Sequence, residues 1–158
     1  MAAKYLIVAP HADDEVIGCF EVLLKEKQTV IVYTEKLDNI RREEALNLKN
    51  QFKNSVIQIF SRDIPYHFVD SETILYFPDP TYEIHPAHRN VGAEGEYVLR
   101  SKKFNVVFYN TIMNAPYIHE TNCVKKEGLL NLVYPSQKSL WEYEKKYVLF
   151  EGYCKWII

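Results

Sequence analysis

An apolar run of five residues, Tyr5-Leu6-Ile7-Val8-Ala9, ends abruptly on Pro10-His11-Ala12-Asp13-Asp14-Glu15. A short apolar run without polar alternation is the pattern of a strand buried on both faces, as in a parallel sheet. The carboxyl ends of strands in an open α/β sheet are where ligands bind, and this end presents a histidine and three consecutive acids. Gathering such groups costs free energy through charge repulsion unless a cation or a helix N-terminus offsets it. First-turn acids stabilise a helix by about 0.3–1 kcal/mol each. That accounts for one or two of the acids but gives no reason for His11 beside them.

The rest of the chain alternates between two periods. Asp13 to Lys27 carries Val16, Ile17, Phe20, Leu23 and Leu24 at helical spacing, with acids first and lysines last, which suits the helix dipole. Thr29 to Thr34 is a second buried strand, and Asn39 to Phe52 an amphipathic helix with Ile40, Ala45, Leu48 and Phe52 on one side. Val56 to Phe60 and Tyr66 to Val69 are weaker strand candidates around Pro65. Thr73 to Phe77 is a further apolar run, stopped by Pro78-Asp79-Pro80. His85 to Leu99 reads as a helix and Lys103 to Tyr109 as a strand. Beyond Thr111 the pattern weakens to a short helix near Glu127 to Val133 and an aromatic strand near Tyr147 to Ile157. Alternating strands and helices predict an α/β fold with a mainly parallel sheet. At 158 residues, without repeat or linker, one domain spanning 1–158 is the simple expectation.

Several function classes fall away. Net charge is −2 and the lysine pairs are scattered, so no basic face for a nucleic-acid polymer is expected, although a single nucleotide or nucleotide sugar stays open. Cys19, Cys123 and Cys154 are odd in number and widely spaced, the usage of a reducing compartment. The first ten residues lack a signal-peptide core and no stretch reaches membrane-spanning length, so a cytoplasmic location away from the membrane is expected. There is no GxGxxG turn, no GxxxxGK[ST] loop and no GxSxG elbow.

A second cluster, His85-Pro86-Ala87-His88-Arg89, sits mid-chain. Proline favours the first helical position, where its missing N–H is an orphan anyway. That makes His85 the cap and sets His88 three residues on, on the same side. Two imidazoles and one carboxylate form a ligand set of the catalytic-zinc kind, which keeps a fourth position for water. The ion lowers the water pKa from about 15.7 to about 7. A second carboxylate that does not bind metal collects the proton. Spacing alone leaves open which of Asp13 and Asp14 takes which role.

PHADDE after a first buried strand, with HPAH downstream, resembles the LmbE-like (PIG-L-type) zinc-dependent N-acetylglucosamine deacetylases, whose motifs are a PHPDDE-type and an HPDH-type segment. Arg41 to Phe52 (RREEALNLKNQF) is similar to the arginine-bearing second helix of that family, so the likeness spans most of residues 5 to 110. The resemblance implies a Rossmann-like three-layer fold and zinc, or another divalent ion, held by His11, Asp14 and His88. It further implies Asp13 as the general base that later protonates the leaving amine, and His85 as the group stabilising the tetrahedral oxyanion. Arg42, or its neighbour Arg41, would hold substrate hydroxyl or phosphate groups. Two positions depart from the pattern. Ala12 replaces a proline, and Ala87 replaces the acid of HPDH, whose loss as a supporting partner can cost about 10- to 100-fold. The chain is also shorter than typical members, which would trim the loops around the substrate.

The resemblance thus predicts an amide hydrolase that removes acetyl from an N-acetylated amino sugar or similar small conjugate. The rivals are a metal-dependent phosphoester hydrolase and a degenerate carbohydrate- or nucleotide-binding module. Nothing in the sequence speaks against a homo-oligomer. Other candidates are weaker. His119 and Cys123 offer only two ligands, Cys19 is expected to be a buried inert thiol, and His67 a structural residue in an apolar context. Trp141, Tyr143 and Tyr147 are expected in the core.

Overall fold

The computed structural model describes residues 2–53, 56–101, 103–112 and 114–154. In chain order the elements are β1 (Tyr5–Ala9), α1 (Asp14–Leu23), β2 (Thr29–Tyr33), α2 (Asn39–Asn50), β3 (Ile57–Ser61), β4 (Ile74–Pro78), α3 (Pro86–Arg100) and β5 (Asn105–Asn110). The last part adds β6 (Tyr117–Glu120), α4 (Cys123–Val133), α5 (Lys138–Tyr143), α6 (Lys146–Leu149) and β7 (Phe150–Cys154). They build a seven-stranded sheet in the order β3-β2-β1-β4-β5-β7-β6. The first five strands in that order are parallel, and β7 and β6 join antiparallel. Among the described residues, no helix is long and apolar enough to cross a membrane.

The apolar runs explain the layers. In β1, Tyr5, Ile7 and Ala9 face one core together with residues of α1, α2, α4, α5 and α6; Leu6 and Val8 face a second core beneath α3. A strand with a helical layer on each side has no solvent face, so alternation disappears. Strand order reverses between β1 and β4: β2 and β3 lie on one side of β1, and β4 and β5 on the other. That switch point, at the carboxyl ends of β1 and β4, is where both histidine clusters emerge. Helix α3 crosses β4 very closely: a Cβ on Gly92 would stand 2.6 Å from the Pro78 carbonyl oxygen. Only glycine allows this approach, and it sets the height at which His88 sits over the strand ends.

The expected boundaries shift where local chemistry intervenes. Tyr66–Phe68 is a 3-10 turn rather than a strand, because Pro65 has no N–H for a ladder; Phe68 and Val69 pack their apolar side chains on the α3 side instead. His67 is exposed there, its ring 4.4 Å from Phe68 between centroids, and not enclosed as expected. β6 escaped the sequence because every residue on this edge strand is exposed. The C-terminal aromatic strand is shorter than expected, since α6 takes Lys146–Leu149, and residues 155–157 of that prediction lie outside the described residues. Of the three C-terminal aromatics, Trp141 is in the core, with its Nε1–H on Asn131, while Tyr143 is fully in water at 88% exposure.

Helix α1 ends before Lys27 and is broken at Cys19, whose backbone leaves the helical region. In an unbroken α-helix the Ile17 carbonyl accepts from the Glu21 N–H. Here Lys126 Nζ donates to Ile17 O at 2.7 Å and to Phe150 O at 3.0 Å, and Glu21 N–H donates to Glu151 Oε1 at 3.1 Å. Lys126 and Glu151 are both fully buried. Burial pushes Glu151 up and Lys126 down toward neutrality, and each charge restrains the shift of the other.

Removing one member of a buried charge pair costs about 3–5 kcal/mol. Lys126→Met is therefore expected to destabilise the fold by that order. A carboxyl whose folded pKa lies above its unfolded value contributes least stability at high pH. With Lys126 gone, Glu151 rises further, so the deficit grows from pH 5 to pH 8. Urea unfolding of both proteins at the two pH values checks this.

Candidate metal centre

The peptide leaves β1 at Ala9 and turns through Pro10-His11-Ala12 into α1. Asp13 caps α1 with φ of 132°, a left-handed backbone that an aspartate adopts only under constraint. Three contacts supply the constraint. Asp13 N–H donates to Glu15 Oε2 at 3.1 Å, Arg41 Nη2 donates to the Ala12 carbonyl, and the same Nη2 lies 3.4 Å from Asp13 Oδ1. Glu15 is fully buried, and its other oxygen accepts from Tyr134 Oη, which itself bonds Tyr33 Oη at 3.1 Å. Burial raises Glu15 to about 7 against the lowering effect of the Tyr134 and backbone bonds. The caps do not use the Asp13 carboxyl, which stays directed to the cavity.

The second strand end supplies the rest. After β4 the chain passes Glu83, and His85 caps α3: its Nδ1 accepts the Ala87 N–H at 3.1 Å, with Pro86 next, as the sequence predicts. With Nδ1 accepting, the ring proton sits on Nε2, a donor available to a ligand. His88, one turn on, is 4% exposed and faces His11: the rings of His11, His85 and His88 lie 4.9–5.3 Å apart in every pairing.

His11 Nδ1, Asp14 Oδ2 and His88 Nε2 form a tight triangle, with edges of 3.2 Å, 3.1 Å and 3.3 Å. Tetrahedral donors at about 2.0–2.1 Å from a divalent ion stand about 3.3 Å apart. The triangle fits such an ion, and these three residues could hold it. Burial would lower the His88 pKa, but the Asp14 carboxylate and the Glu83 bond outweigh it and push it to about 10. Burial likewise works against the Asp14 charge, yet His88 and His11 hold that carboxyl well below the usual range. Asp13 moves the other way, raised by burial and by the Asp14 charge against the pull of Arg41.

Glu83 is the residue the sequence did not reveal. It is 3% exposed, its Oε1 accepts from Thr111 N–H at 2.6 Å and Thr111 Oγ1 at 2.7 Å, and the same oxygen lies 3.4 Å from His88 Nδ1. A carboxylate on the far nitrogen of a ligating histidine fixes its tautomer and leaves the near nitrogen's lone pair for the metal. Glu83 thus brings a carboxylate to His88 from five residues upstream. Glu15 was also unread as a support for Asp13.

Of the two arginines the sequence offers, Arg42 is exposed and does not line the cavity, whereas Arg41 does. Asp38 caps α2 by accepting the Arg41 N–H at 2.8 Å, and that start point turns residue 41 toward the site. Cys19 is buried as expected, and burial pushes its thiol up. His119 stacks on Tyr153 at β6, remote from this cluster, and Cys123 opens α4. The cavity at the triangle has a volume of about 640 Å³, and its lining also includes Ile84, Thr111, Ile112, Gln137, Leu140 and Tyr147.

With its pKa pushed to about 10, His88 is expected to hold an extra proton near neutral pH in the metal-free protein, one that an incoming ion would displace. Zinc binding is expected to release about one proton and to tighten about tenfold per pH unit across the neutral range, levelling off near pH 10. Calorimetry in buffers of different ionisation enthalpy measures the release. His88→Gln should abolish both the proton release and most of the binding.

No protein-family model, curated protein or solved structure matches the chain, so the side chains themselves carry the functional argument.

Proposed function

We propose that this chain is a zinc-dependent hydrolase of the LmbE-like type, removing the acetyl group from an N-acetylated amino sugar or similar small conjugate. The observation that carries the reading is the donor triangle of His11, Asp14 and His88 with an unligating carboxyl, Asp13, on the adjacent residue. A divalent ion at that point supplies Lewis acidity. The protein's own groups do the rest.

Asp13 is held against Arg41, and burial with the Asp14 charge raises its carboxyl, which makes it a better proton acceptor than a free aspartate. Water adds to the acyl carbon as Asp13 accepts its proton. The C–N bond then breaks as Asp13 passes that proton to nitrogen, giving acetic acid and the amine, which leave as acetate and ammonium once the acid's proton moves to the amine. His85, with its proton on Nε2, donates to the oxygen that gains charge in the tetrahedral stage. Glu83 and Thr111 hold His88, and Glu15 holds the Asp13 backbone, so neither shifts as charge moves. Free thiols at Cys19 and Cys123 support a reducing, cytoplasmic setting.

Acetate release from a panel of N-acetylated amines and sugars, with and without chelator, tests the reading. Activity is expected only with metal present. Asp13→Asn should lower kcat by about 10²- to 10⁴-fold while zinc still binds, whereas Asp14→Asn should lose the metal. Full turnover in Asp13→Asn would remove the general-base assignment, and phosphate release in place of acetate would replace the reaction class.

A further inference from the structure

The sheet ends in β6, where every residue from Tyr117 to Glu120 is exposed, Tyr117 at 61% and Ile118 at 46%. Thr121 N–H donates to Leu149 O at 2.9 Å, and the β6–β7 register sets Tyr117 against Tyr153 and His119 against Glu151. Hydrogen-bonded pairs alternate along an antiparallel ladder. Tyr117 and His119 therefore spend their main-chain groups on β7, while Ile118 and Glu120 turn theirs outward. Among the described residues, no main-chain group bonds these outward ones. An open edge of this kind is a template for a further strand, and natural edges are blunted by lysine, proline or a bulge. β6 contains neither lysine nor proline; Pro116 stands just before it.

The strand this edge fits best is its own copy. A two-fold axis between antiparallel copies sets one residue opposite itself. An axis at Glu120 would oppose two carboxylates, which destabilises. At His119 it would set Ile118 against the partner's Glu120, and at Tyr117 against the partner's Pro116, which has no N–H to give. At Ile118 the two isoleucines meet and exchange both main-chain bonds, and each Glu120 N–H reaches the carbonyl of the partner's Pro116. Tyr117 then stands opposite the partner's His119 in the closer, non-hydrogen-bonded kind of pair. On that face the rings of Tyr76, Tyr153 and His119 already form a row, 6.4 Å and 5.5 Å between centroids. The partner's Tyr117 is the ring that continues it. We propose that β6 pairs with β6 of a second copy about a two-fold axis at Ile118, joining two sheets into one. Nothing in this pairing depends on the reaction at the metal centre. So short a strand forms few bonds, which makes the association weak and dependent on concentration.

Sedimentation of the full chain from about 5 µM to about 1 mM is expected to show the dimer fraction rising with concentration. Ile118→Lys, which opposes two ammonium groups at the axis, should keep the chain monomeric across that range. Cross-linking reads the register. Tyr117→Cys mixed with His119→Cys is expected to give a disulfide-linked heterodimer on oxidation, while either variant alone gives no more than the unaltered chain. Opposite residues in a non-hydrogen-bonded pair have Cα atoms about 4.5 Å apart, inside disulfide range, whereas residue 117 and its own copy lie beyond about 7 Å. A chain that stays single at the highest concentration overturns the proposal. So does a dimer that survives Ile118→Lys or fails to give the mixed cross-link.

Discussion

Three electron pairs aimed at one point repel one another. Asp14 Oδ2, His11 Nδ1 and His88 Nε2 stand within 3.3 Å of each other, Asp14 and His88 buried and His11 partly open to the cavity, and Glu83 lies on the far side of the His88 ring. A proton shared into the cluster relieves the repulsion in part, which is why His88 is pushed so far up. A divalent cation relieves it fully, because each lone pair then meets positive charge. Much of the surrounding architecture reads as the means of keeping that triangle closed. The glycine at 92 lets α3 come down onto β4, and the Glu83–Thr111 bonds tie the β4 loop to the end of β5.

The strained residue beside the triangle follows from the same demand. Asp14 faces the triangle while Asp13 stays outside it, yet consecutive residues at a helix start leave little room for both. A left-handed backbone at Asp13 separates the two carboxyls, at a cost of order 1–3 kcal/mol. Glu15, Tyr134 and Arg41 hold the conformation from three directions. Tyr134 lies 119 residues from Glu15, so the C-terminal third takes part in the site by fixing the Asp13 backbone through Glu15 rather than by joining the triangle.

This division explains what could be read from the chain. Strands buried on both faces announce themselves as apolar runs, and β1, β2 and β4 lie where Tyr5, Thr29 and Thr73 begin such runs, to within a residue. His11, Asp13, Asp14, His85 and His88 were visible because they cluster within short segments. Glu83 and Glu15 were not, since an acid becomes a support only through partners distant in sequence: Thr111 for the one, Tyr134 for the other. Arg41 and Arg42 differ by one position, about 100° around a helix. Nothing in the hydrophobic pattern places the first turn of α2; the Asp38 cap does. The elements after Thr111 wrap edges and corners, where exposure follows no single period.

The break in α1 completes the argument. Gly18 packs so tightly on the Tyr109 ring that a Cβ would stand 2.2 Å from it, and Tyr109 Oη is itself bonded to Val8 O in β1. The first half of α1, which carries Asp14, is thus pressed onto the strand ends. A straight helix continuing at that angle has to keep its own Ile17–Glu21 bond; instead Lys126 and Glu151 take over those two backbone groups. Buried charges are poor stabilisers in themselves, so their place here is better explained by geometry. They permit the bend without leaving a buried carbonyl or N–H unpaired. The position of the Asp14 carboxylate, more than net stability, is what Lys126 and Glu151 secure.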